Sequence, residues 1–215
     1  MSSPVDTKAQ MLRQLKSRIS EYTPRAIESN ESFPDAAVLV PLRESHDGLE
    51  LMLTLRASHL NTHRGQVAFP GGKFDEEDGA LIKTALRESW EEVALDPNDV
   101  EVLGQLSEVI SLHGIRVTPF VALIGPELDL KPNPDELDSI FYVDIKKIIE
   151  AKPKRRDRMT YKGTALSVPS YDYEYEGQSY EIWGLSAIVM VELLNIAFDA
   201  GITIFEDSSS KGNGS

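Results

Sequence analysis

Residues 65–95, GQVAFPGGKFDEEDGALIKTALRESWEEVAL, restrict what this chain can fold into more than any other part of it. The apolar run Val67, Ala68 and Phe69 ends at Gly71-Gly72, where the backbone can turn sharply and approach a ligand closely. Four acids follow, Asp75, Glu76, Glu77 and Asp78, and then a helical pattern begins. Over 80–94 the apolar or small residues Ile82, Ala85, Leu86, Ser89, Trp90 and Val93 recur at steps of three and four, which predicts one buried stripe. At roughly 100° per residue, Glu88, Glu91 and Glu92 fall within about 100° of arc, away from that stripe. Carboxylates at i, i+3 and i+4 repel one another. Surface helices relieve this with an interleaved Lys, yet residues 88–95 contain no base. A divalent cation removes the repulsion, and clustered oxygens suit Mg²⁺ or Mn²⁺. By themselves the three acids also describe a solvated face.

Around this stretch the pattern is one of short strands. Residues 36–42 (AAVLVPL) form a continuous apolar run, as in a buried strand, and after the turn at 45–48 residues 49–56 (LELMLTLR) return. Beyond the acidic helix, 100–110 reads as one long or broken strand, and 116–124 as a strand whose Pro119 implies an edge or a bulge. Residues 132–136 make a loop, 137–143 a strand and 144–150 a short helix. Tyr171, Tyr173, Tyr175 and Tyr180 alternate around Gly177, giving a hairpin with an aromatic face that either covers the sheet or stacks on a base. Residues 183–200 close the domain as a helix, with Trp183 structural. At the other end, 6–21 place Met11, Leu12, Leu15 and Ile19 on one face of an amphipathic helix, packed on the domain or on the partner in a homodimer. The expected divisions are 1–34, helix and loop; 35–205, the main domain; and 206–215, a polar tail rich in Gly and Ser. Such a pattern supports an α/β or α+β class.

A net charge of −13 argues against nucleic-acid binding, which rests on phosphate neutralisation by Lys and Arg. It also obliges a polyanionic substrate to meet metal ions and local basic groups. Arg56 and Arg64 flank the Gly-Gly turn, and each either holds a phosphate or makes a surface ion pair. His63 is a base or phosphate donor, or simply an exposed loop residue. The one basic run, Lys152, Lys154, Arg155, Arg156 and Arg158, reads either as a receiver of substrate phosphates or as a solvated loop. Cysteine is absent, which removes thiolate chemistry and fits a reducing compartment. With neither an apolar leader nor an 18-residue apolar run, no membrane role is expected and a cytoplasmic location is.

Gly-Gly, the acidic loop and RESWEEVAL resemble the Nudix box, G-x5-E-x7-R-E-U-x-E-E-x-G-U with U aliphatic. Counted from Gly72, Asp78 stands at the first Glu, with eight residues rather than seven before Arg87. Ser89 occupies an aliphatic place and Ala94 the Gly. Leu53-Thr54-x-Arg56-Ala57, His63-x-Gly65 through Gly72, and Asp75-x-x-Asp78 resemble the coenzyme A pyrophosphatase branch, which carries the same longer box; Asn61 stands where that branch has Arg. The likeness covers about 36–145.

The resemblance implies an α/β/α sandwich, a mixed sheet between helices, with 35–205 as the Nudix hydrolase domain. It implies a small nucleotide substrate: coenzyme A or an acyl derivative cut at its pyrophosphate to 3′,5′-ADP and a phosphopantetheine, or else another nucleoside diphosphate derivative. It further implies Mg²⁺ or Mn²⁺ on Glu88, Glu91 and Glu92, with Arg87 orienting them by bidentate hydrogen bonds. Glu91 or Glu136 would take the water's proton, and Arg56, His63, Gly71 and Gly72 would contact substrate. The retained Arg87, Glu88, Glu91 and Glu92 argue against a nucleotide-binding relative without turnover.

Overall fold

The computed structural model describes residues 4–28, 32–59, 65–161 and 164–204. The expectations for Asn61, His63, Arg64 and the tail at 206–215 lie outside these residues. In chain order the elements are α1 (Pro4–Glu21), β1 (Asp35–Glu44), β2 (Leu49–Arg56), β3 (Val67–Ala68), β4 (Gly71–Lys73), α2 (Leu81–Val93), β5 (Val100–Gln105), β6 (Val109–Ile110) and β7 (Arg116–Ile124). There follow β8 (Leu137–Asp144), α3 (Ile145–Glu150), β9 (Arg155–Tyr161), β10 (Thr164–Tyr175), β11 (Gln178–Ile182) and α4 (Gly184–Phe198).

The first eight strands make one mixed sheet. Its middle is opened by a divergence. β1 and β2 pair antiparallel only near their turn, from Leu42↔Leu51 to Glu44↔Leu49. Further along they part, and residues 67–73 fill the gap: β3 pairs with β2 through Thr54↔Ala68, and β4 with β1 through Ala37↔Gly72. Between the two, the Pro70 carbonyl accepts the Leu39 amide at 2.9 Å. β7 runs parallel to β1, and β8 covers the outer edge of β2. The Gly-Gly segment is thus part of the sheet rather than a loop above it.

Residues 36–42 of β1 are all apolar because both faces of the strand are covered. Ala37 and Leu39 join a core beneath α2, with Met52, Ala122 and Ile124, while Val40 and Leu42 face the core under α1, α3 and α4. A mixed sheet between helices is therefore observed, as the resemblance implied. α4 is apolar nearly all round, since the sheet, α1 and β10 all pack on it. α1 packs on this domain, burying Leu15 and Ile19 and pairing Lys16 with Glu101 at 2.8 Å. Among the described residues no helix is long and apolar enough to cross a membrane.

Three sequence expectations change. Pro119 is not on an edge: β7 has β1 on one side and β5 and β6 on the other. The proline faces the interruption between Gln105 and Val109, where its carbonyl accepts the Leu106 amide at 2.9 Å and its missing N–H breaks no ladder. The irregularity lies in the partner, β5, between Val102 and Gly104. The basic run is not a loop either, because from Arg155 it is strand β9, and its charges meet the hairpin's acids. Lys154 pairs with Asp172 at 2.9 Å, and Arg155 with Asp157 and Glu181. The hairpin tyrosines cover the sheet, Tyr180 stacking on Phe141 with ring centroids 3.8 Å apart. Finally, Trp90 is 52% exposed, and the buried residues of α2 are Thr84, Ala85, Ser89, Glu92 and Val93. The stripe is rotated from the one predicted, and it carries a carboxylate inward.

α2 ends at Ala94, whose φ of 56° and ψ of 31° are left-handed; its amide reaches the Trp90 carbonyl at 3.0 Å, and the Leu95 amide the Ser89 carbonyl at 3.3 Å. An L-residue with a Cβ is strained there by about 1 kcal/mol. Ala94→Gly is expected to raise stability by up to ~1 kcal/mol in urea unfolding, with unchanged m-value. A loss of stability would contradict this assignment of strain.

Candidate active site

The acidic loop is shaped before it meets the helix. Asp75 caps the 3-10 turn Glu76–Asp78, its side chain accepting the Glu77 amide at 2.9 Å while Asp78 answers the Asp75 amide. Asp78 is thereby turned toward α2. Arg87 clasps it with Nε at 2.8 Å and Nη2 at 3.0 Å, and the Thr84 hydroxyl donates to the same carboxylate at 2.7 Å. These bonds, chiefly that from Arg87, hold the Asp78 carboxyl well below the ordinary range. Arg87 was expected to present its fork to the helix glutamates. Its bidentate partner is instead Asp78, and only Nη1 reaches Glu88 at 2.9 Å and Glu91 at 3.3 Å. Neither Asp78 nor Thr84 stood among the expected site residues. Asp78 was legible from its place in the box; Thr84 carried no signal, because a Thr on a helix is ordinarily neutral.

Gly71 and Gly72 bring α2 down onto the sheet. Gly71 has a φ of 154°, and a Cβ there would strike the Ala37 carbonyl; a Cβ on Gly72 would strike the Glu88 carboxylate. Glu88 therefore lies on the backbone of β4. Glu92, only 3% exposed, accepts the Gly71 amide at 3.0 Å and sits 3.7 Å from Arg56 Nη1. Burial pushes its carboxyl up to about 7, against the opposing pull of the Gly71 amide and Arg56. Burial also raises Glu88, although Arg87 counteracts it. Glu136 lies near enough to raise both. Its backbone is placed by the Ala57 amide, which donates to its carbonyl at 2.8 Å. The buried Nε of Arg56 has no partner among the described residues, so this guanidinium keeps an unused donor.

Glu88, Glu91 and Glu92 were expected to converge on metal. The structure brings Glu88 and Glu91 to one guanidinium and turns Glu92 toward Gly71. Among the described residues no three acidic or histidine side chains converge on one point closely enough to hold an ion. The reason is electrostatic. Like charges move apart and take whatever donors are near, here Arg87 and a backbone amide. Among the described residues, Arg56 and Arg87 face five carboxylates: Asp78, Glu88, Glu91, Glu92 and Glu136. An all-oxygen cluster short of positive charge, with two members destabilised as anions, fits a hard divalent cation. A cavity of about 770 Å³ lined by Tyr22, Val109, Ile188 and Val191 shares no residue with this cluster.

Comparison with known proteins gives a consistent result. The NUDIX domain family model matches residues 33–162. Over 190 residues, 88% of this chain and 96% of theirs, the sequence is 37% identical to proteins from Salmonella newport (strain SL254) and Salmonella paratyphi B (strain ATCC BAA-1250 / SPB7), each named "Uncharacterized Nudix hydrolase NudL". A solved MutT/nudix family protein from Enterococcus faecalis is 16% identical, covering 93% of this chain and 76% of its own, with a TM-score of 0.49.

The buried Glu92 makes a pH prediction. Its carboxyl ordinarily titrates at 4.5 and in the fold at about 7, so between these values the folded state binds more protons than the unfolded one. The stability it contributes is present below 4.5 and is lost as pH rises toward 7. Glu92→Gln keeps the acceptor for Gly71 and removes the titration. In EDTA, wild type is expected to lose on the order of 3 kcal/mol relative to Glu92→Gln between pH 4.5 and 7.5. A difference constant across that window would contradict the burial argument.

Proposed function

The chain belongs to the Nudix hydrolases, and from that premise we propose that it is a metal-dependent pyrophosphatase that hydrolyses coenzyme A or an acyl derivative. The observation that most supports this is the crowding of Glu88 and Glu92, both partly desolvated, over the Gly71-Gly72 backbone. Two sequence features favour the coenzyme A branch: the lengthened spacing between Asp78 and Arg87, and the residues from Leu53 to Ala57. The longer loop still delivers Asp78 to Arg87 at 2.8 Å, so the extra residue is accommodated without loss of the clasp.

In this reading Glu88, Glu91 and Glu92 hold the cation. When bound, Mg²⁺ or Mn²⁺ supplies Lewis acidity and countercharge to the pyrophosphate. Arg87, fixed by Asp78, keeps Glu88 and Glu91 on one side of the helix. Gly71 and Gly72 would bring the backbone of β4 close to the cation and the phosphates, with Glu88 and Glu92 packed against it. Arg56, with its guanidinium partly exposed and Nη1 3.7 Å from Glu92, would meet a phosphate at the edge of the acidic cluster. His63, outside the described residues, keeps its expected role as a substrate-binding residue. Glu136, or Glu91, takes the proton of the attacking water as its oxygen bonds to phosphorus, and the bridging oxygen leaves with the other phosphate. The products are 3′,5′-ADP and (acyl-)4′-phosphopantetheine. A chain of net charge −13 suits a small nucleotide better than a nucleic acid.

Purified protein with Mg²⁺ or Mn²⁺ is expected to cleave coenzyme A to those two products, resolved by mass, and Glu91→Gln to lose at least ~10²-fold of the rate. Turnover of NADH, ADP-ribose or dinucleoside polyphosphates with coenzyme A untouched would reject the branch and leave a general Nudix pyrophosphatase. No turnover of any of these would leave a nucleotide-binding domain.

A further inference from the structure

The loop between β7 and β8 is fastened to the acidic helix at two residues, and one of them, Asn133, also ties the loop to itself. The last carbonyls of a helix lack intrahelical partners, and here the loop supplies them. The Lys131 amide donates to the Val93 carbonyl at 3.1 Å, and the Asn133 amide to the Glu92 carbonyl at 2.8 Å. The Asn133 carbonyl then accepts the amides of Glu136 at 3.0 Å and Leu137 at 2.8 Å, while its side-chain Oδ1 accepts the Asp135 amide at 3.1 Å. That last bond is an Asx turn, which folds the backbone back on itself within three residues. Pro132 and Pro134 on either side narrow the conformations that the segment can adopt. At the far end of the turn, the Glu136 carbonyl accepts the Ala57 amide, next to Arg56.

Glu136 is therefore held from both sides, through Asn133 to the residue bearing a proposed metal-binding carboxylate and through Ala57 to the residue after Arg56. Its own carboxylate makes no hydrogen bond or ion pair among the described residues. A fixed backbone carrying a carboxylate close enough to act on the charge of Glu88 and Glu92 is an arrangement suited to a base, and one that a loop turn alone does not require. We propose that Asn133 is a positioning residue that holds Glu136 in register with the acidic end of α2. The proposal rests on the reading of Glu136 as the base that accepts the water's proton.

Rates with Mg²⁺ and coenzyme A (or NADH or ADP-ribose, should coenzyme A be left intact) test it on wild type, Asn133→Ala, Asn133→Asp, Glu136→Gln and the double variant Asn133→Ala/Glu136→Gln. Glu136→Gln is expected to lower kcat by about 10²-fold. Asn133→Ala is expected to lower kcat about tenfold with KM within about twofold, while Asn133→Asp, which keeps the Oδ acceptor, stays within about twofold of wild type. Once Glu136 is gone, Asn133→Ala is expected to cost nothing further, so the double variant matches Glu136→Gln. Wild-type kcat in Glu136→Gln would overturn the base reading, and the role of Asn133 with it. A large loss in Glu136→Gln beside wild-type kcat in Asn133→Ala would overturn only the proposal for Asn133. So would losses that multiply in the double variant, or an Asn133→Asp as impaired as Asn133→Ala.

Discussion

Residue 72 has no side chain, and much of the site depends on that vacancy. A Cβ at this position would occupy the space of the Glu88 carboxylate, so that carboxylate could not rest on the backbone of β4 as it does. The approach in turn needs β4 to be hydrogen-bonded into the sheet at Ala37↔Gly72, which happens only because β1 and β2 part beyond their turn. Against β4, Glu92 lies below the surface and meets the Gly71 amide. A backbone feature, rather than any one acidic residue, converts a charged helix face into a partly dehydrated cluster.

Dehydration explains why charge balance governs the rest. An exposed carboxylate on a helix is screened and contributes little. Glu88 and Glu92 are shielded, and each is harder to ionise for it. Arg87 is divided among three acids and spends its best geometry on Asp78, while Arg56 stands 3.7 Å from Glu92. The cluster is left with more negative charge than its guanidiniums cover. Pyrophosphate brings more still. Divalent cations reconcile a negative site with a negative substrate, as they do across phosphoryl-transfer chemistry.

Local pattern in the sequence carried the element order well, because the apolar runs at 36–42 and 49–56 and the alternating tyrosines each have one strong periodicity. Spacing on the helix placed Glu88 and Glu91 as neighbours, and both meet Arg87, but it did not show Glu92 turned inward to the Gly71 amide. What it misjudged were matters decided by distant partners. Trp90 belongs to the apolar set by composition, yet it is 52% exposed, and Ala85, Ser89 and Val93 are the residues that α2 buries against the sheet. Glu92 is buried on that same face. Lys154 and Arg155 looked unpaired until the hairpin acids Asp172 and Glu181 were folded beside them. Pro119 marked an interruption, but in the neighbouring strand rather than its own. Asn133 gave no signal, since four of its polar contacts are to backbone groups that only the tertiary fold assembles.

Crystals soaked in Mn²⁺ and measured at the manganese absorption edge offer the most direct examination of the central claim. The account expects anomalous density bounded by carboxylate oxygens of Glu88, Glu91 and Glu92, with Glu92 withdrawn from the Gly71 amide to reach it. Density confined to the acidic loop at Asp75–Asp78, or none within coordination distance of α2, would contradict it.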